Sequence, residues 1–91
     1  MNEVYNEAIA LLKTAIKDGV ESTAIYQLLG KVYQQIGLNR LAREHYLKGL
    51  ELAKAETNLE GLAMTQAGLA ITNGIVGNEN EDKFLQFYLE D

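Results

Sequence analysis

The chain has 91 residues, of which 47% are hydrophobic and 23% are charged, and this composition is typical of one small globular domain. It has no cysteine and one histidine, which excludes a disulfide framework, a thiolate metal site and any catalytic design that needs two histidines. The net charge is −5 and no basic cluster could follow a phosphate backbone or an acidic membrane, so we expect neither nucleic acid nor membrane as a partner. Because the sequence lacks a signal peptide and an apolar run of about 18 residues, we expect a cytoplasmic protein.

Apolar residues recur at three- and four-residue steps along the chain, and this periodicity predicts helices and no strand. Gly19 and Gly37 are expected to end the first two helices, because glycine adopts the left-handed conformation without strain. Ser22 or Thr23 is expected to cap the second helix, and Asn39 the third. The five predicted helices span about residues 2–18, 23–36, 39–55, 58–73 and 80–90.

An internal pattern occupies residues 23–56, where aromatic, leucine and small residues hold fixed positions in two consecutive helices: Tyr26, Leu29, Gly30, Tyr33, Ala42 and Tyr46. This pattern resembles the tetratricopeptide repeat, a helix–turn–helix unit of about 34 residues. We expect Gly30 to let its two helices approach closely. We expect Gly61, in the fourth helix, to lie on an exposed stretch.

The resemblance extends to both sides of this repeat. A step of 34 residues backwards aligns Ala8 with Ala42, and a step of 38 residues forwards aligns Gly68 with Gly30. The resemblance therefore implies one all-α domain, built as a helical-hairpin array of five helices. Its parts would be a half repeat over 1–22, a full repeat over 23–56 and a divergent repeat over 57–91.

No group of residues in the sequence predicts catalysis or metal binding. His45 is expected to be a surface or half-buried helix residue, and Ser22, the only serine, is expected to be a cap. The acidic residues Glu79, Glu81 and Asp82 lack the spacing of a calcium loop and suit a helix N-terminus. We therefore expect a non-enzymatic protein without a cofactor or a metal.

The resemblance implies protein binding, because tetratricopeptide-repeat proteins generally bind peptides or helices of other proteins. The first helix of each repeat lines a concave groove, in which amide side chains can bond to a peptide backbone and a lysine can add a charge-assisted contact. The groove positions implied here are Gln27, Lys31 and Gln34 in the second helix and Thr65, Leu69 and Thr72 in the fourth. The expected function is that of an adaptor module for a protein or peptide partner.

Self-assembly is the alternative function, in which the chain binds copies of itself. The first helix is a half repeat without its partner helix, and the last helix concentrates aromatic residues. Exposed apolar patches usually mark interfaces, and about three repeats are needed for independent stability. The residues expected to form a homodimer are Tyr5, Ile9, Phe84, Phe87 and Tyr88.

Overall fold

A computed structural model of the chain describes residues 2–73. These residues form four helices and no strand: α1 (Asn2–Lys17), α2 (Thr23–Gln35), α3 (Asn39–Glu56) and α4 (Leu59–Asn73). The all-helical prediction is confirmed for them, and none of the four helices is long and apolar enough to cross a membrane. The predicted helix over 80–90, with Phe84, Phe87 and Tyr88, lies outside the described residues.

Three of the predicted turn residues act as the sequence indicates. Gly19 and Gly37 have φ angles of +94° and +86°, so glycine supplies the left-handed conformation after α1 and α2. The hydroxyl of Ser22 accepts a hydrogen bond from the backbone N–H of Ala24 at 3.2 Å and caps α2. Glycine and serine therefore define the ends of the first two helices.

The predicted cap of α3 is wrong by one residue. The chain enters this helix through Leu38, whose side chain makes no cap bond and is 2% exposed. Asn39 is the first helical residue, and its side-chain amide donates to the carbonyl of Gly37 at 3.3 Å. Burial of Leu38 in the core therefore sets the entry into α3.

The packing of α2 and α4 on α3 forms most of the fold. The connections α2–α3 and α3–α4 are short, so α2 and α4 run in the same direction and antiparallel to α3. Each of them packs extensively on α3, and they also contact each other, whereas α1 packs on α2. The core contains residues of all four helices, among them Ile9, Leu29, Tyr33, Ala42, Tyr46 and Leu69.

Tyr46 occupies the centre of this packing, between two glycines. A Cβ atom built on Gly30 of α2 would lie 2.7 Å from Cε1 of Tyr46, and one built on Gly68 of α4 would lie 2.5 Å from Cζ of the same ring. The tyrosine hydroxyl donates to Oε1 of Gln34 at 2.8 Å. Glycine is therefore required at both positions, because α2 and α4 approach the Tyr46 ring too closely for a larger side chain.

The alignment of Gly68 with Gly30 stays a prediction. Gly30 contacts the helix that follows its own, and Gly68 contacts the helix that precedes its own. The buried residues of α4 are Gly61, Thr65, Gly68, Leu69 and Thr72, and those of α2 are Thr23, Tyr26, Leu29, Gly30 and Tyr33.

The expectation that Gly61 lies on an exposed stretch is wrong. Gly61 is buried, and a Cβ atom there would lie 2.8 Å from Nδ2 of Asn58 and 2.9 Å from Cγ2 of Thr23. Its backbone N–H donates to Oδ1 of Asn58 at 2.9 Å, so Asn58 caps α4. The start of α4 therefore packs closely against the start of α2.

Candidate functional site

The parallel helices α2 and α4 form one continuous surface on the side away from α3. Nε2 of Gln27 in α2 lies 3.4 Å from Sδ of Met64 in α4, so these two side chains join the helices at the surface. We call this surface the α2–α4 surface. Its exposed members are Lys31 on α2 and four side chains on α4: Glu60, Met64, Ala67 and Ile71.

The three side chains predicted on α2 share one face, as their spacing requires. Lys31 is exposed, and Gln27 and Gln34 are half-buried. The side-chain oxygen of Gln34 accepts the hydroxyl hydrogen of Tyr46, so this part of its amide is used inside the fold. Lys31 and Gln27 therefore offer the polar groups of α2 that point to the surface.

The three groove residues predicted on α4 are buried, and this part of the prediction is wrong. Thr65 and Thr72 are fully buried and Leu69 is 9% exposed. The hydroxyl of Thr65 donates to the carbonyl of Gly61 at 2.7 Å, and that of Thr72 to the carbonyl of Leu69 at 3.2 Å. Because these bonds lie within α4, the threonines serve helix packing.

Other residues of α4 take the surface positions, and the sequence analysis missed them. Met64 is 44% exposed and Ile71 is 56% exposed, with Ala67 exposed between them. The three residues follow each other at steps of three and four, so they form one apolar row. The spacing of the small residues Gly61, Thr65, Gly68 and Thr72 is the signal that could have placed this row on the outside.

The α2–α4 surface carries little charge. Lys31 is the one charged residue of α2, and Glu60 is the one charged residue of α4. Within residues 2–73, no three His, Cys, Asp or Glu side chains converge as a metal site would require. The surface therefore combines apolar contact area with one amide, one cation and one carboxylate.

A second apolar face lies on α1. Val4 is 68% exposed and Leu11 is 73% exposed, and they lie seven residues apart on one side of the helix. Ile9, predicted as a self-association residue, is 5% exposed and belongs to the core, so that assignment is wrong. Tyr5 is half-buried. The exposed large apolar side chains of α1 are therefore Val4 and Leu11.

His45 lies half-buried against the core tyrosines, with its ring centroid 5.0 Å from that of Tyr33 and 6.3 Å from that of Tyr26. Burial lowers the pKa of His45, and the hydrogen bond between Nδ1 and the carbonyl of Leu41, 2.7 Å long, acts in the opposite direction. Burial also raises the pKa of the Tyr46 hydroxyl. The fold therefore stabilises the neutral forms of the His45 imidazole and the Tyr46 hydroxyl.

Comparisons of the chain with protein-family models, with curated proteins and with solved structures give no match.

Proposed function

We propose that this chain is a protein-binding adaptor module, which holds a peptide or helix of a partner protein on the α2–α4 surface. The observation that carries the proposal is the pairing of two parallel helices that expose an apolar row beside an amide and a lysine. Met64, Ala67 and Ile71 supply the apolar row, and Gln27 and Lys31 supply the polar groups.

The packing of the helices supports an array of the tetratricopeptide-repeat type. In such an array the first helices of successive repeats lie side by side, each against the second helix between them. Here α2 and α4 contact each other, and both press a glycine against Tyr46 of α3.

The chemistry of the α2–α4 surface favours a ligand with apolar side chains. Met64 is unbranched and adapts its shape to a partner, and it is common at surfaces that bind varied peptides. Gln27 can exchange its weak contact with the Met64 sulfur for a bond to a peptide carbonyl. Lys31 can then add a contact to an acidic side chain of the ligand.

The test is selection of peptides from a random display library on the wild-type chain, followed by affinity measurements on two variants. The surface variant carries Lys31→Glu and Met64→Glu. The control variant carries Lys48→Glu and Val20→Glu, which make the same charge change at exposed positions away from this surface. We expect the surface variant to lose at least about tenfold in affinity, or about 1.4 kcal/mol, while the control binds like wild type. Equal binding by both variants would place the binding site elsewhere.

Self-assembly through α1 is the second candidate function, and the exposed Val4 and Leu11 favour it. The repeat alignment pairs Ala8 and Ala15 of α1 with Ala42 and Gly49 of α3. Neighbouring helices bury Ala42 and Gly49, whereas Ala8 and Ala15 are half-buried. We expect sedimentation equilibrium to show a dimer that Leu11→Glu dissociates. A wild-type monomer at high micromolar concentration would exclude this function.

A further inference from the structure

The helices α2 and α4 keep one register along the α2–α4 surface. Nε2 of Gln27 lies 3.4 Å from Sδ of Met64, and these residues are 37 positions apart. A Cβ atom on Gly61 would lie 2.9 Å from Cγ2 of Thr23, and these residues differ by almost the same number of positions. Each residue of α4 therefore lies level with the residue of α2 that is about 37 positions earlier in the chain.

The two charged side chains of the α2–α4 surface lie at different levels of this register. Glu60 precedes Met64 by one helical turn, and Lys31 follows Gln27 by one turn. At a rise of about 1.5 Å per residue, each charged residue lies about 6 Å from the level of Met64, so the two are about 12 Å apart along the helices. Both side chains are exposed, and neither takes part in an ion pair within residues 2–73. The surface therefore has a carboxylate and an ammonium group with the Met64 thioether midway between them.

The amide of Gln27 favours an extended ligand over a helical one. This amide lies level with Met64, in the middle of the surface. An extended chain has free backbone N–H and C=O groups that the amide can bond, whereas a helix has used most of its own in internal bonds.

The spacing of side chains in an extended chain matches the distance between the two charges. Side chains on one face of such a chain repeat about every 6.6 Å. Two of them that are four positions apart are therefore separated by about 13 Å, and a third lies midway between them. Three consecutive side chains of one face can then reach Glu60, Met64 and Lys31 together.

Given the protein-binding function proposed above, we propose that the α2–α4 surface selects an extended segment in which a basic, an apolar and an acidic residue occupy alternate positions. The basic residue pairs with Glu60, the apolar residue covers Met64, and the acidic residue pairs with Lys31. An exposed ion pair contributes little affinity, but a like charge at either end is repelled, so the two charges decide which ligand is chosen.

Selection from a library of random peptides tests the proposal, with each charge reversed in turn. The baits are the wild-type chain, Lys31→Glu and Glu60→Lys, and the matched controls Lys48→Glu and Glu51→Lys make the same changes at exposed positions of α3. Circular dichroism checks that each bait folds like wild type. Glu60→Gln replaces Glu60→Lys if a cation in the first turn of α4 unfolds that helix. A peptide counts as a ligand of this surface when Met64→Glu weakens its binding at least about tenfold.

We expect wild type and both controls to enrich peptides with a basic and an acidic residue four positions apart and an apolar residue midway between them. Lys31→Glu should instead enrich basic residues at both ends and Glu60→Lys acidic residues at both ends, whereas Glu60→Gln should lose the preference for a base. A peptide selected by wild type should bind either reversed variant at least about threefold more weakly at low salt, and high salt should reduce this difference.

Three results would contradict these expectations, and each has its own meaning. Ligands whose charges do not change with either reversal would overturn the proposal and leave the protein-binding function standing. Opposite charges about seven or eight positions apart would show a helical ligand and would also overturn the proposal alone. A wild-type selection without any ligand that Met64→Glu weakens would refute both the proposal and protein binding at this surface.

Discussion

The two glycines on either side of Tyr46 make a strong prediction about stability, and Gly68→Ala tests it. The new methyl group would lie 2.5 Å from Cζ of Tyr46, well inside van der Waals contact. The ring cannot move towards α2, because Gly30 leaves just enough room for it there. The substitution must therefore separate α4 from α3 or displace the tyrosine.

Three terms determine the size of the effect. Overpacking of a core by one methyl group costs about 1–3 kcal/mol. Displacement of Tyr46 also loses its hydrogen bond to Gln34, which contributes about 1 kcal/mol. The higher helix propensity of alanine offsets about 1 kcal/mol of this loss. The free energy of unfolding should therefore fall by about 1–3 kcal/mol, and Tm by about 4–8 °C for each kcal/mol.

The assay is thermal and urea unfolding followed by circular dichroism, for Gly68→Ala in the wild-type and Tyr46→Leu backgrounds. Without the aromatic ring, alanine should be tolerated and should stabilise α4 by up to about 1 kcal/mol. The double-mutant cycle should therefore give a coupling energy of about 1–4 kcal/mol between positions 46 and 68. Ala67→Leu, a larger substitution at the exposed neighbouring position, is the control and should change stability by less than about 0.5 kcal/mol. If Gly68→Ala stabilises the wild-type chain, Tyr46 does not pack between the two helices.

Three further predictions follow from single positions. Thr57 ends α3 with a φ of 57°, a left-handed conformation that strains a β-branched residue. Thr57→Gly should therefore raise the free energy of unfolding by about 0.5–1 kcal/mol in urea titrations, and an unchanged value would argue against this strain. Gly61→Ala should lower it by about 1–2 kcal/mol through contact with Asn58 and Thr23, whereas an exposed site would give a gain. Burial lowers the pKa of His45, so the unfolded chain takes up the proton more readily than the folded chain. The contribution of His45 to the free energy of unfolding should then be fully present above its ordinary pKa of 6.5 and be lost as the pH falls through the lowered folded pKa. The substitution His45→Gln should flatten this profile in thermal melts from pH 8 to pH 5.

The helices and their ends could largely be predicted from the sequence, because local chemistry determines them. Glycine at positions 19 and 37 and serine at position 22 act through backbone conformation and one cap bond, which do not depend on distant residues. The predicted cap of α3 was wrong because this helix start depends on packing with distant residues. Burial of Leu38 is a tertiary effect, and it outweighs the preference of Asn39 for the cap position.

The candidate site could be predicted on α2 but not on α4, because the two helices bury different kinds of residue. The core side of α2 carries Tyr26, Leu29 and Tyr33, which hydropathy identifies directly. The core side of α4 carries Leu69, two glycines and the threonines Thr65 and Thr72, whose hydroxyls bond to carbonyls of their own helix. Such internal bonds remove the cost of burying the hydroxyl groups, so polarity does not indicate the exposed side of this helix.

Shape, rather than hydropathy, determines the orientation of α4, and this has a consequence for function. Apart from Leu69, small side chains face α3 and α2, because Tyr46 and Gly49 approach α4 too closely for larger ones. The large apolar side chains Met64 and Ile71 are then directed outwards, where each gives up part of the roughly 1.5–3 kcal/mol that full burial would contribute. A ligand that covers the apolar row recovers this free energy on binding. The packing that places α4 against Tyr46 therefore also creates the apolar part of the proposed protein-binding surface.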